Sequence, residues 1–261
     1  MGRQGKSDHH QTIQEEFSRQ AETLGRAAVF TDQEVMDRIR SAVVISRDMR
    51  LLDVGCGPGL VTAALAPYVK EIVALDLTPE MIAQARKRCD EAGLTNVRFE
   101  TGPAEKLPFE RNSFDGVVTR YTFHHFTEPS IVLSEMARVT KPKGRIVIVE
   151  ILSSETPEEA ELHNALEILR DPSHTLAWPR SRWQQLIESR QLRILKEERW
   201  TKPREFEEWI QITNAPSRLK PLSTVMARLA KAGVKGGVDL RLEGTKVLFN
   251  HSYMLLALEK P

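Results

Sequence analysis

Three glycines at alternate positions follow the apolar run 51–54 and precede a segment that can form a helix. They are Gly55, Gly57 and Gly59. The pattern predicts a strand, a tight turn and a helix N-terminus, because glycine adopts positive φ angles and lets a ligand approach the backbone closely. Since free N–H groups and the helix dipole collect at such a turn, we expect it to attract a negatively charged ligand group.

A second chemical signal is an acidic residue at the end of the next apolar run. Asp76 closes the run 71–76. A carboxylate in that place can accept hydrogen bonds from both hydroxyls of a ribose. Together with the glycine turn, it predicts a cofactor that contains adenosine, bound at the carboxyl edge of a parallel sheet.

The composition limits the class of protein that could carry this site. The chain has 261 residues, of which 41% are hydrophobic and 28% charged, so we expect a packed core. A net charge of +1 argues against a nucleic-acid-binding protein. Cys56 and Cys89 form neither a metal-binding spacing nor a disulfide framework, which fits the cytoplasm, and no apolar run approaches the length of a membrane span.

Alternating apolar and amphipathic segments predict the elements that position the site. Strands are expected at 50–54, 72–76, 97–100, 114–119, 145–151, about 192–200 and 247–258, and helices at about 12–28, 32–44, 59–67, 79–92, 128–140, 157–169 and 182–189, with two more in 203–232. We expect a turn at 141–144 and a loose segment at 1–12. This alternation predicts an α/β fold, doubly wound around a mostly parallel sheet.

We expect one domain with helical additions, because no long linker separates the segments. Residues 1–45 would form an N-terminal helical lid, 46–151 the cofactor-binding core, and 152–261 the substrate-cap helices with the last strands.

Three blocks of sequence carry a family resemblance. They are LDVGCGPG (52–59), ALDLTPEMIAQAR (74–86) and the long block from Gly102 to Glu150. In this order and spacing they resemble class I S-adenosylmethionine-dependent methyltransferases, and most of all the ubiquinone/menaquinone-biosynthesis group. The resemblance implies a seven-stranded sheet with an antiparallel last strand, S-adenosylmethionine as cofactor, and methyl transfer to carbon, oxygen or nitrogen of a small molecule.

The resemblance also assigns cofactor contacts along the chain. It implies that the methionine part of the cofactor lies at the first motif and also contacts the backbone after the fourth strand. The ribose would bind Asp76, and the adenine would lie beside Leu77, Met81 and Ala104. The residues are Asp53, Gly55, Cys56, Gly57, Gly59, Asp76, Leu77, Met81, Ala104, Glu105, Arg120 and Tyr121. Pro103 stands where relatives often carry an aspartate that binds the adenine amino group.

Candidates for the acceptor side follow the fourth strand. His124 and His125 are adjacent, so one of them could orient a substrate or accept a proton, or one could instead bond to the following helix. Two adjacent histidines alone make no metal site, and no metal is expected. Phe17 and Phe30 could line a lid, and Glu150 could contact substrate or form a structural ion pair.

Two other functional classes stay open from the residues. A nicotinamide-dependent oxidoreductase is disfavoured because Leu60 stands where a dinucleotide fingerprint needs a small residue. In addition, Asp53 suits an ammonium group better than a pyrophosphate. A non-catalytic protein that keeps the cofactor cleft is the second alternative, and Pro103 is its best support.

Overall fold

The computed structural model describes residues 3–27 and 31–261 and contains a mixed sheet flanked by helices. Among the described residues the helices are α1 (Arg3–Leu24), α2 (Gln33–Val43), α3 (Leu60–Leu65), α4 (Pro79–Glu91), α5 (Pro129–Val139), α6 (Pro157–Arg170), α7 (Arg180–Ser189), α8 (Phe206–Gln211) and α9 (Pro216–Lys231). The strands are β1 (Arg50–Val54), β2 (Glu71–Asp76), β3 (Val97–Thr101), β4 (Phe114–Arg120), β5 (Thr140–Leu152), β6 (Arg193–Glu205), β7 (Arg241–Glu243) and β8 (Lys246–Glu259).

The sheet has the order β3-β2-β1-β4-β5-β8-β6, and the short β7 pairs with β8 beside this path. The strands β1 to β5 pair in parallel, whereas β8 runs antiparallel to both β5 and β6. The predicted fold class is therefore confirmed, with β7 as a short addition to the seven expected strands.

Both faces of the sheet are covered, which explains why its strands read as continuous apolar runs. Successive side chains of a strand point to opposite faces. Leu51 accordingly packs in one cluster with Ile39 of α2, while Leu52 packs in another with Leu133 of α5 and Trp183 of α7.

A third apolar cluster lies away from the two sheet faces. It joins α6, α8 and α9 to the β7–β8 hairpin and is centred on Phe206, Trp209 and Phe249, each 1–2% exposed. These aromatic side chains therefore pack in a core of their own.

Three local predictions differ from the structure. Helix α1 begins at Arg3 rather than near residue 12. Strand β6 continues to Glu205, so the first of the two late helices starts later than expected. The turn expected at 141–144 lies within β5, where Lys143 has a φ of 60° and its N–H donates to the carbonyl of Lys260.

A search of the described helices for one long and apolar enough to cross a lipid bilayer finds none.

The first prediction concerns Gly59, which caps α3 with a φ of 78°. A Cβ at this position would lie 2.8 Å from both Cα and Cβ of Ala85. We expect Gly59→Ala to lower the free energy of unfolding by about 2–5 kcal/mol, from left-handed strain plus overpacking. Chemical denaturation measures this value.

Gly93→Ala is the matched control. Gly93 has a φ of 67°, but a Cβ there would meet nothing within 4 Å. We expect a loss of only about 1–2 kcal/mol from the backbone conformation. Equal losses for the two variants would show that close packing against α4 is not what requires glycine at position 59.

Candidate cofactor and methyl-acceptor cavity

One cavity lies at the carboxyl ends of the parallel strands. Its wall includes residues that follow β1, β2, β3 and β4, and α1 lies across it. The empty space is about 1360 Å³, including the part open to solvent.

The turn between β1 and α3 is held by the carboxylate of Asp76. Its Oδ2 accepts the N–H of Gly57 at 2.8 Å, and its Oδ1 accepts the N–H of Thr78 at 2.9 Å. A carboxylate offers about four lone-pair positions, and Asp76 lines the cavity. Burial raises the pKa of Asp76, although hydrogen bonds from the backbone of Thr78, Gly57 and Leu77 oppose that rise.

The backbone donors of this turn are used inside the protein. The N–H of Cys56 donates to the carbonyl of Leu75, that of Gly57 to Asp76, and that of Gly59 to the carbonyl of Cys56. The expectation that free N–H groups here attract a negatively charged ligand group is therefore wrong for these three positions. The physical reason is that two of these N–H groups donate to backbone carbonyls and the third donates to the side chain of Asp76.

Asp53, at the end of β1, is a buried carboxyl group on the cavity wall. It is 1% exposed and its Oδ2 accepts the hydroxyl of Thr62 at 2.6 Å. Burial raises the pKa of Asp53 to about 6, and the hydrogen bond from Thr62 and the charge of Arg120 limit the rise. The group can therefore change its protonation state when a charged ligand arrives.

The residues after β2 and β3 give the next part of the wall. Leu77, Met81, Pro103, Ala104 and Glu105 all line the cavity. Met81 also packs in an apolar cluster with Ala21 and Leu24 of α1. Glu105 is the ionisable residue among these five, and its Oε1 lies 3.4 Å from Nε2 of His10.

After β4 the chain bends sharply into the cavity. Tyr121 has a φ of 56°, which is unusual for a residue other than glycine, and its N–H donates to the carbonyl of Val149 at 2.8 Å. The guanidinium of Arg120 lies 5.2 Å from the centre of the Tyr121 ring. Both side chains line the cavity, and burial lowers the pKa of Arg120 and raises that of Tyr121.

His124 lines the cavity and is tied to Glu150. Its Nδ1 lies 2.6 Å from Oε1 of Glu150, whose carboxylate also accepts the N–H groups of Phe123 and Ile151 at 2.7 Å. Burial alone would lower the pKa of His124, but the charge and hydrogen bond of Glu150 outweigh burial and raise it. A histidine held by a carboxylate has a fixed tautomer, with Nε2 left as the proton acceptor.

His125 has different hydrogen-bond partners from those of His124. Its Nδ1 donates to the carbonyl of Ser173 at 3.0 Å, and its ring lies edge to face with Phe17 at 4.8 Å. Burial, followed by the neighbouring charge of His124, lowers the pKa of His125 to about 3. The two adjacent histidines thus have opposite charge preferences.

A methyltransferase-domain family profile matches residues 52–148. The uncharacterized methyltransferase YcgJ of Bacillus subtilis (strain 168) is 36% identical over 201 residues, which is 77% of this chain and 79% of YcgJ. The crystal structure of YcgJ superimposes with a TM-score of 0.81 at 31% identity and covers 88% of this chain and 99% of that one.

This chain belongs to the class I S-adenosylmethionine-dependent methyltransferases.

Two further comparisons show how the likeness is distributed. A solved structure from Bacillus halodurans C-125 matches the methyltransferase with a TM-score of 0.82 at 28% identity, over 87% of this chain and 99% of the other. The demethylmenaquinone methyltransferase of Clavibacter sepedonicus is 39% identical over 108 residues, 41% of this chain and 43% of that protein. The second match spans less than half of either protein.

Helix α1 of the methyltransferase bonds to both halves of the cavity rim. Gln14 donates to the carbonyl of Leu77, His9 bonds the carbonyl of His125, and Gln20 donates to Asp171 at 3.0 Å. Phe17, expected at a lid, lines the cavity. His9 and His10, taken as part of a loose segment, lie instead in this helix.

Two of the expected site residues stand off the cavity wall, and one is outside the described part of the chain. Gly59 packs against α4, and Glu150 lies behind His124 with its oxygens bonded to protein groups. Phe30 is outside the described residues. The other expected residues all line the cavity.

Another part of the cavity wall, on α6 and β8, is polar and was not predicted from sequence. Glu167 of α6 and His251 of β8 line the cavity with Nε2 of His251 2.9 Å from Oε1 of Glu167, and Arg170 and Arg204 stand beside them. Burial opposes ionisation of Glu167, but the neighbouring imidazoles of His163 and His251 hold the pKa of this carboxyl well below its usual range. Burial also lowers the pKa of His251 to about 4.

The second prediction follows from the raised pKa of Asp53. Between pH 4 and pH 6 the folded state binds a proton that the unfolded state has lost, so this group makes stability fall as pH rises. We expect Asp53→Asn to remove that fall. The free energy of unfolding of the variant relative to wild type should rise by about 3 kcal/mol from pH 4 to pH 7.

Asp90→Asn, at an exposed position on α4, serves as the control in the same denaturation series. Its stability relative to wild type should not follow the Asp53→Asn curve. A difference between Asp53→Asn and wild type that stays constant across this pH range would show that Asp53 is ionised throughout.

Proposed function

We propose that this methyltransferase transfers the methyl group of S-adenosylmethionine to a small molecule bound between the glycine turn and the helices of 152–261. The observation that carries the proposal is the continuity of one cavity, which runs from Asp53 and Asp76 to His124 and on to His251. Cofactor and acceptor therefore have adjoining places. The acceptor atom, carbon, oxygen or nitrogen, is left open.

The residues present fit the nucleoside and the amino acid of such a cofactor. Asp76 keeps acceptor positions for two ribose hydroxyls, and a Cβ on Gly57 would point into space with nothing within 4 Å. Asp53 offers a carboxylate to an ammonium group, which would also draw its pKa down from about 6. A pyrophosphate would meet two buried carboxylates here, which argues against the nicotinamide alternative.

The adenine would lie against Leu77, Met81 and Ala104, which are apolar. Pro103 supplies no carboxylate and no N–H, so the adenine amino group has one partner fewer than in many relatives. Glu105 lies beside it and is 3.4 Å from His10 of α1. The absent hydrogen bond costs about 1 kcal/mol of cofactor affinity, which weakens binding without removing it.

Residues 1–45 act as a lid in this proposal, and 152–261 as the acceptor cap. The lid is supported by the bonds of α1 to Leu77, His125 and Asp171, which close the cavity from two sides. The bound cofactor supplies a methyl group activated by a sulfonium. The protein's tasks are then to align the acceptor with that methyl group and to exclude water.

His124 is the proton acceptor in this proposal, with Glu150 as its positioning residue rather than a substrate contact. The 2.6 Å bond to Glu150 orients the ring and brings the pKa of His124 upward, toward the range in which a base works at neutral pH. His125, with a pKa of about 3, is a weaker base and is better suited to orient the acceptor. A base is needed only for an acceptor that arrives protonated, such as a phenol.

The proposal places the methyltransferase in the cytoplasm and gives it no nucleic-acid substrate. Both cysteines are buried and free, which fits a reducing compartment. The net charge of +1 provides no general attraction for a polyanion.

The third prediction tests cofactor binding by calorimetry. We expect saturable binding of S-adenosylmethionine and S-adenosylhomocysteine and none of NADH. Asp76→Asn should weaken both by about 10–100-fold, because it exchanges charged acceptors for a neutral amide at the ribose. Asp90→Asn should bind as wild type does.

Two results would contradict this assignment. One is no heat with either sulfur nucleoside in protein shown to be folded by circular dichroism. The other is unchanged affinity in folded Asp76→Asn. If binding occurs but no acceptor from a panel of quinols, phenols and amines is methylated, the non-catalytic alternative is favoured.

The fourth prediction concerns pH and uses a phenolic acceptor from that panel. The groups that face His124 are Glu150, His125 and His174, with the charges of Glu167 and Asp171 nearby. Because the base must be unprotonated, kcat/KM should rise with pH through an apparent pKa higher than that of a free histidine. His124→Gln should lower kcat by about 10²–10⁴-fold and abolish this rise.

His125→Gln is the comparison variant and should keep the rise with pH. Affinity for S-adenosylhomocysteine, measured for both variants, separates a lost base from a disturbed cofactor site. A His124→Gln enzyme that retains the wild-type pH profile would remove this residue from proton transfer.

A further inference from the structure

Three buried side chains of metal-binding type converge beside the acceptor end of the cavity. His163 and Glu167 lie one turn apart on α6, so both face the same side of the helix, and His251 of β8 faces them. They are 2%, 3% and 4% exposed. The histidine ring nitrogens and carboxylate oxygens offered by the three lie within 4.8 Å of one another.

The hydrogen bonding of this trio is incomplete. Both ring nitrogens of His163 and Oε1 of Glu167 are buried without a hydrogen-bond partner of good geometry. A buried polar atom left unpaired costs about 1–3 kcal/mol, so such atoms are few in native proteins. Three of them at one point indicate that another group completes the site.

We propose that His163, Glu167 and His251 bind one divalent transition-metal ion, of which zinc is the best fit. Two imidazoles and a carboxylate suit zinc and exclude magnesium and calcium, which prefer oxygen ligands. Around tetrahedral zinc the ligand atoms stand about 3.3 Å apart. Oε1 of Glu167 lies 2.9 Å from Nε2 of His251 and 3.7 Å from Nε2 of His163, distances that bracket this value.

The wider separations, up to 4.8 Å, must shrink when the ion binds. A rotation of the His163 ring supplies this movement, and no hydrogen bond of that ring has to break. His163 is therefore the adjustable ligand, while Glu167 and His251 are already close to their final positions.

Tyr253 and Arg204 decide the tautomer of His251. Nδ1 of His251 lies 3.4 Å from the hydroxyl of Tyr253 and 3.3 Å from Nη1 of Arg204. Without metal, Arg204 donates to Nδ1, and Nε2 lies 2.9 Å from Oε1 of Glu167 without the geometry of a hydrogen bond. With metal on Nε2, the Nδ1–H donates to the Tyr253 hydroxyl, and Arg204 keeps its two bonds to Glu208.

Three protein ligands leave a fourth position, as in catalytic zinc sites. Because Glu167 and His251 line the cavity, this position opens toward the acceptor end. The guanidinium groups of Arg170 and Arg204 stand beside it and favour a negatively charged oxygen as fourth ligand. Binding of the ion itself does not depend on the proposed methyl transfer.

The test is metal binding by tag-free full-length protein after treatment with a chelator. Co²⁺ is titrated while its visible absorption is followed, and Zn²⁺ is then added as a competitor. We expect one equivalent of Co²⁺ to bind with a tetrahedral or five-coordinate spectrum, and one Zn²⁺ to displace it. His163→Gln and Glu167→Gln should each weaken binding by about 10–100-fold or more.

His174→Gln is the matched control, because His174 is also a buried histidine near the cavity but bonds to Asn164 instead. Its metal affinity should equal that of wild type. Folded wild-type protein that binds no stoichiometric Co²⁺ or Zn²⁺ overturns the proposal, as does unchanged affinity in either ligand variant.

X-ray absorption of the zinc-loaded wild type keeps the test decisive if the variants do not fold. Two imidazoles and an oxygen ligand are the expected first shell. A shell that contains sulfur would place the ion at a cysteine and overturn the assignment.

Discussion

A single half-buried carboxylate, that of Asp76, ties the ends of β1 and β2 together. It accepts the N–H of Gly57 in the turn after β1 and that of Thr78, the residue that precedes α4. One side chain therefore holds the segments that precede α3 and α4, at the edge of the sheet where the cavity opens. The same carboxylate lines that cavity, so hydrogen bonds within the protein fix this part of the wall.

The end of the cavity near α6 and β8 is built on a different principle. Its wall carries buried ionisable groups that contact other polar side chains, such as Glu167 with His251 and Asp171 with Gln20. Such buried polar contacts contribute little net stability, because the cost of desolvation offsets their attraction. What they provide is geometry, because each pair has one favourable arrangement and so keeps the shape of the wall. Apolar packing of α6, α8 and α9 around Trp209 supplies the stability that these pairs do not.

The part of the cavity around the glycine turn could be predicted from sequence because its signals are local. A strand, a glycine turn and an acid at the next strand end can each be recognised within a few residues, and parallel strands bring them to one edge. The bonding of the turn amides was not predicted, because two of their acceptors, the carbonyl of Leu75 and the carboxylate of Asp76, belong to the neighbouring strand. Glu167, Arg204 and His251 could not be predicted, because each polar residue belongs to a segment far from the others in the chain. The start of α1 was missed because apolar periodicity begins only at Ile13, whereas polar contacts of His9 and His10 hold the preceding turns.

The position of β8 between β5 and β6 has a consequence for biosynthesis. β6 leaves the ribosome before β8, yet every backbone pair that β6 makes within the sheet is with β8. Until β8 is translated, the nascent chain carries two unpaired strand edges, one on β5 and one on β6, and such edges are prone to intermolecular pairing. β6 carries many lysine, arginine and glutamate side chains, with Pro203 near its end. These residues disfavour pairing of its edge with another chain until β8 has been translated.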